Sequence, residues 1–402
     1  MKNILRKENI GFIAVQSLYQ ISFCVYSAFL VMYLQMNGFT NEQCGLAITL
    51  QYLTCLILQP LYGYITDTYL SCKRFLMLAT AITIPAAFLL PMTVRIVPLA
   101  MLSIVIYACF YNSNETIIAA WVLLLRDQKP YINYEVTRGF ASFFYAFFAL
   151  GFGVLLQRFG TKVMFISYAL LASALFLACI PIPEVACQNS KKLSRFAGGQ
   201  SLSTLQVAKT LASNKPYMLF LASALCYQIG LKATKTFISN YVAVLGGAEQ
   251  ELGVLFFFSA LIEFPALYLI GRMTRRYKVE YSYLMIQFAL ICNLLFLKFM
   301  PSMVGMTFAM IFSGVAYIGF LGVFMDFVKL KTPRQLNSSA ISLGMALTNA
   351  LGAILGAYFG GLIIDLWGLD FMTISCFITT ALAFILFLPL LLCKDHTPTA
   401  TQ

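Results

Sequence analysis

Charge is scarce in this sequence. Of its 402 residues 10% are charged and 60% hydrophobic, whereas soluble domains carry about 25% charged residues. An ordinary water-soluble fold is excluded. Histidine is scarcer still: His396 is the single one, in a polar tail, so a histidine-based active site is excluded too. The eleven cysteines show no Cys/His metal spacing and read as small apolar packing residues. No metal is expected. There is no nucleophile–base constellation and no nucleotide motif, so neither enzyme activity nor a bound cofactor is expected. No cleavable signal is evident, because the first apolar run is too long and lacks a small-residue cleavage site. The two tryptophans, Trp121 and Trp367, are poorly placed to form a sugar-stacking platform.

What is present is apolar length. A membrane-spanning helix needs about 20 apolar residues, and such runs recur at 10–35, 43–66, 75–94, 97–125, 137–157, 163–182, 217–244, 252–271, 281–298, 303–328, 339–365 and 371–393. Short separators carry Gly, Pro, Asn or charge. The net charge of +12 follows topology rather than nucleic-acid binding. With the N-terminus in the cytoplasm and twelve alternating helices, only Arg95, Arg158, Lys162 and Lys298 fall in outer loops. Lys232 and Lys235 lie inside a span, and the remaining basic residues, Arg138 among them, fall in cytoplasmic segments. This is a positive-inside pattern. The expectation is a multi-pass protein of the inner or plasma membrane, a monomer in the lipid bilayer, with both termini cytoplasmic and no nucleic-acid partner.

The chain also repeats. Gly38, Gly45, Gly63, Gly153 and Gly160 return as Gly246, Gly253, Gly271, Gly361 and Gly368 at one offset of 208 residues, and Tyr19-Gln20-Ile21 returns as Tyr227-Gln228-Ile229. A period this long indicates duplicated bundles. The expected fold is an all-α membrane protein of two pseudo-symmetric six-helix bundles, residues 1–182 and 216–393, joined by a polar, basic linker at 183–215 and followed by a tail at 394–402.

This layout resembles the major facilitator superfamily. "GYITDTYLSCKR" (63–74) is similar to that superfamily's loop after helix two, matching at Gly63, Asp67, Lys73 and Arg74, with Thr68 and Leu70 departing from it. "NYEVTRGFASFFYA" (133–146) and "GGAEQELGVLFFFSALIEFP" (246–265) are similar to segments of the lactose permease-like oligosaccharide and nucleoside proton symporters. The resemblance implies a transporter energised by the proton gradient. It also implies that helices one, four, seven and ten line a central cavity, and that Gly63, Asp67, Lys73 and Arg74 form a cytoplasmic gate. In the lactose permease two carboxylates occupy helix seven at the spacing of Lys232 and Lys235, so the sign is reversed here and a galactoside site does not carry over.

Four charges stand where a bilayer disfavours them. An ionised side chain near mid-membrane costs about 2.5–3.5 kcal/mol on insertion scales, yet Glu115, Lys232, Lys235 and Glu263 all interrupt apolar runs. Gln228, Lys232, Lys235 and Ser239 fall on one helical stripe, which should face the bundle interior. Two readings follow. In the first, a lysine pairs with Glu263 simply to lock helices seven and eight. Alternatively the lysines contact substrate, with Glu115 and Glu263 as proton-coupling groups. The candidate solute-binding residues are Tyr19, Gln20, Asn112, Gln228, Lys232, Lys235 and Asn349. The leading expectation is proton-coupled transport of a small polar solute, a sugar or oligosaccharide first, by alternating access. An organic anion, drug export and a non-transporting sensor stand as alternatives.

Overall fold

A computed structural model of the chain describes residues 6–132, 134–185, 210–333 and 336–392. Residues 186–209 of the expected linker and 393–402 of the tail, including His396, lie outside the described residues. The described chain is helix and short turns, without strands. Its helices are α1 (Lys7–Met36), α2 (Asn41–Thr68), α3 (Cys72–Thr93), α4 (Val97–Gln128), α5 (Tyr134–Phe159), α6 (Lys162–Cys179), α7 (Lys215–Thr236), α8 (Glu249–Arg276), α9 (Val279–Phe299), α10 (Met303–Lys331), α11 (Ala340–Trp367) and α12 (Leu369–Leu392). After Phe237, α7 continues as Ile238–Val244.

Eleven of these helices are long and apolar enough to cross a membrane. Among the described residues α7 is the exception, so eleven of the twelve expected spans meet that measure. Its polar stripe dilutes the hydrophobicity that would drive insertion, so its place in a membrane depends on the helices around it.

Local sequence sets the helix ends. Thr40 Oγ1 accepts from Gln43 N at 3.2 Å while Gln43 Oε1 accepts from Thr40 N at 3.1 Å, a capping box that starts α2. Ser71, Asn214 and Ser302 cap α3, α7 and α10 in the simpler way. At the opposite ends, Gly38, Gly160, Gly246 and Gly368 adopt φ of +86°, +75°, +71° and +90°, a left-handed conformation that only glycine takes without penalty. They are two of the 208-residue pairs.

The other repeat glycines serve a different purpose. α8 packs along α5 and α11 along α2. In the first seam, a Cβ on Gly153 would stand 2.6 Å from Glu249 O and one on Gly253 2.6 Å from Ala149 O. In the second, a Cβ on Gly45 would collide with the Ala357 carbonyl and one on Gly361 with the Asn41 carbonyl. Small residues let these backbones touch. Gly63 and Gly271 complete the set and differ from it, since a Cβ on either meets nothing within 4 Å.

The repeat extends to a feature the residue pattern did not suggest. α1 and α7 both break at a phenylalanine, Phe29 (φ −94°, ψ 3°) and Phe237 (φ −103°, ψ 23°), again 208 apart. In α1 a π-helical turn, Cys24–Ala28, precedes the break, and α11 carries one at Ala346–Ala350. α8 runs unbroken through Pro265. Buried apolar side chains gather in two clusters. One draws on residues 12–185 and reaches Phe237, Leu255 and Met372, and the other lies between Leu211 and Leu390.

A side chain at a seam should damage the fold and one at the open pair should not. Gly253→Val is expected to lower detergent-solubilised stability by about 1–3 kcal/mol through overpacking. Gly63→Ala should leave the melting temperature unchanged or slightly raised. Matching melting curves for the two variants would contradict this assignment.

Candidate functional site

α4 loosens into a turn at Asn112–Ser113, where both residues keep right-handed helical dihedrals, and its second segment begins at Asn114. Glu115 lies in the first turn of that segment. Its Oε1 accepts from Gln20 Nε2 of α1 at 3.2 Å and forms an ion pair with Arg138 Nη2 of α5, also at 3.2 Å. Arg138 Nη1 donates to Ser142 Oγ, one turn along the same face, at 3.0 Å. Ser142 Oγ in turn donates to Glu263 Oε2 of α8 at 3.2 Å. One continuous polar chain thus joins four helices and crosses from the first half of the sequence to the second. The Glu115 side chain is 47% exposed and that of Arg138 23%, so the pair is not sealed within the packed core.

Arg138 was expected in a cytoplasmic segment; it lies in the second turn of α5, which begins at Tyr134, and pairs with Glu115 of α4 instead of standing in a loop. The i, i+4 spacing of Arg138 and Ser142 was the available signal.

The lysines face the same region. Lys235 Nζ lies 4.0 Å from the centre of the Tyr317 ring on α10, and Lys232 Nζ lies 5.4 Å from Tyr317 and 5.3 Å from Tyr52 on α2. Charged neighbours of Glu263 include Lys235, Arg138 and Glu115. Among the described residues no ion pair within 4 Å joins Glu263 to either lysine. The helix seven–helix eight lock, one of the two readings of the lysines, is therefore not made as a direct ion pair, although the charge of Lys235 still acts on Glu263. Tyr52 and Tyr317 were not singled out in the sequence, because lone tyrosines on apolar helices carry no spacing signal.

The remaining candidates divide. Gln228 Nε2 donates to Asn349 Oδ1 at 3.0 Å, tying α7 to the π-helical turn of α11. Asn112 Nδ2 is held by the Gln51 carbonyl at 3.0 Å. Tyr19 is 3% exposed and stacks on Tyr111, with ring centres 5.2 Å apart, which makes it part of the packing of α1 on α4. Its repeat partner Tyr227 is buried in the same way against Phe320. Two clefts of about 300 and 570 Å³ lie elsewhere, and no charged side chain lines either one.

The two ends of the bundle differ. At the end expected to be extracellular, Gln35 Nε2 donates to Asn41 Oδ1 (2.9 Å) and Asn240 Oδ1 (2.7 Å), while Ser239 Oγ donates to Gln35 Oε1 (3.1 Å). Asp365 of α11 accepts from Asn41 N, Asn41 Nδ2 and Glu42 N at 3.1, 2.7 and 2.7 Å. It thereby caps α2 from across the seam. At the other end Gly63 and Asp67 are exposed. Arg74 does not latch onto Asp67: its Nε pairs with Glu184 Oε1 at 2.8 Å, while Lys73 Nζ donates to the carbonyls of Ile180 and Ile182 at 2.7 and 2.8 Å. A hydrogen bond from Ser71, with Arg74 beside it, holds the Glu184 carboxyl below the usual carboxylate range.

A bundle of apolar helices enclosing a hydrogen-bonded chain of ionisable groups defines a multi-pass integral membrane protein of the transporter class. The chain belongs to the MFS_1-like family, whose model matches residues 35–374. It is 25% identical over 335 residues to the transporter YwbF of Bacillus subtilis (strain 168), covering 81% of this chain and 79% of that protein. Its fold is similar to the crystal structure of the nucleoside transporter NupG, with TM-score 0.78 and 16% identity over 96% of this chain and 100% of that one. It is also similar to a D-xylose-proton symporter, with TM-score 0.68 and 12% identity over 94% and 96%.

Two consequences can be measured by unfolding in detergent. Replacing Arg138 by Gln and Glu115 by Gln, singly and together, should show a coupling energy of about 0.5–3 kcal/mol; additive effects would mean that the pair contributes nothing. Asp365→Ala should cost about 0.5–2 kcal/mol, as loss of a helix N-cap does, and an unchanged melting temperature would contradict its capping role.

Proposed function

We propose that the protein is a proton-coupled secondary transporter of a small polar solute that works by alternating access. The observation that carries this reading is the chain Gln20–Glu115–Arg138–Ser142–Glu263, which runs between the two halves of the sequence with Lys235 at its far end. A rigid scaffold would gain little from a partly open ion pair in its interior. A transporter can use one, because its partners can be exchanged as the halves move. When a solute draws Lys235 or Arg138 away, Glu263 loses its counter-charges, and a carboxylate left alone in a low-dielectric interior takes a proton rather than stay ionised. Solute and proton then move together.

The residues take the following roles in this proposal. Glu115 and Glu263 are the proton-coupling groups. Lys232, Lys235, Gln20, Gln228 and Asn349 meet the solute, joined by Arg138 and Tyr317. Tyr19 and Asn112 position their helices instead. The relatives named for nucleoside transport and D-xylose–proton symport favour a small polar solute over a lipophilic drug. Alternating access is supported by a contrast between the ends: at one, Gln35, Asn41, Asn240 and Asp365 join the two halves of the sequence through hydrogen bonds, while at the other Gly63 and Asp67 are exposed. In the opposite state Gly63 and Asp67 are the rim that closes, while Lys73 and Arg74, already bound within their own half, brace it.

Infrared difference spectra of the purified protein between acidic and alkaline buffer should show a protonated-carboxyl band that Glu263→Gln or Glu115→Gln removes. Uptake of uridine or D-xylose into proteoliposomes, if seen, should fall when an ionophore collapses the proton gradient. Uptake indifferent to the ionophore would overturn the coupling.

A further inference from the structure

We infer that the solute carries a negative charge, a carboxylate or phosphate gripped between Lys232 and Lys235. This rests on the transport reading above and narrows its solute from any small polar molecule to an organic anion.

Five ionisable side chains converge on the interior, three cations (Arg138, Lys232, Lys235) and two carboxylates (Glu115, Glu263). The carboxylates are already engaged, Glu115 by Gln20 and Arg138 and Glu263 by Ser142. Among the described residues no carboxylate stands within 4 Å of either lysine ammonium. One positive charge is left over, and it becomes two once a carboxylate is protonated. Both ammonium groups lie against aromatic rings instead, sharing Tyr317. A ring face attracts a cation electrostatically without accepting hydrogen bonds in the way a carboxylate does, so the N–H donors stay available. Two ammonium groups one turn apart on a helix also repel each other. An anion chelated between them removes both the repulsion and the excess charge, whereas a neutral sugar removes neither.

The position fits as well as the charge. Lys232 Nζ is nearly equidistant from Tyr52 of α2, at 5.3 Å, and Tyr317 of α10, at 5.4 Å. These residues belong to different halves of the sequence, so the ammonium stands at the junction where a solute held by both halves would sit. A lysine serving only to fasten α7 to α8 would form a direct ion pair with Glu263; Lys235 acts on that carboxylate from a distance, and neither lysine stands within 4 Å of it.

Thermal-shift and calorimetric binding to the purified full-length protein would test this with pairs that differ in charge: glucuronate with glucose, uridine monophosphate with uridine, and benzoate with benzamide. The anion of at least one pair should bind about tenfold or more tightly than its neutral partner. That preference should vanish in Lys232→Gln/Lys235→Gln and persist in Lys235→Arg, which also guards against a folding defect. The carboxylate and phosphate arms identify which group is taken. Neutral partners binding as well as the anions, no anion binding at all, or a preference that survives the double substitution would each overturn the inference. Anion preference without proton coupling would overturn the coupling reading and leave this one standing; coupled transport of neutral partners alone would do the reverse.

Discussion

The ion pair between Glu115 of α4 and Arg138 of α5 is the contact on which the interior of this bundle depends. Either charge alone among apolar helices would oppose insertion of its segment. Together, and with Gln20 and Ser142 supplying hydrogen bonds, they form a neutral unit that can extend to Glu263. Because the pair remains partly open to water, its partners are exchangeable in a way that a sealed pair's are not. Stability and conformational change thus draw on the same few side chains.

Around this centre the duplicated glycines divide the architectural work. Two pairs provide the left-handed turns that end α1, α5, α7 and α11, and two more bring α5 against α8 and α2 against α11 at backbone contact. The last pair, Gly63 and Gly271, faces open space. Asp67, one turn beyond Gly63, is exposed as well. Asp365 ties the seam end together by capping α2 from α11, a contact made only while those helix ends remain together.

Much of the fold was legible without coordinates. Hydrophobic length located the spans, and the glycine offset marked positions that share a left-handed turn or a backbone contact. The kinks at Phe29 and Phe237 were not legible, because phenylalanine has no preference for breaking helices and only the packed surroundings produce the break. Of the candidate site residues, Gln20, Glu115, Glu263, Lys232 and Lys235 come together through Arg138, Ser142 and Tyr317, while Tyr19 goes to the core and Arg74 to Glu184.

The sequence by itself determined that this chain is an all-helical, multi-pass membrane protein carrying a few charges among its apolar runs, because composition and periodicity act along the chain. Only the tertiary structure decided which of those charges meet. Gln20 and Glu115 lie 95 residues apart and Ser142 and Glu263 lie 121 apart, and hydrogen bonds over such separations depend on how helices cross. The same crossings left Lys232 and Lys235 against a tyrosine rather than a carboxylate.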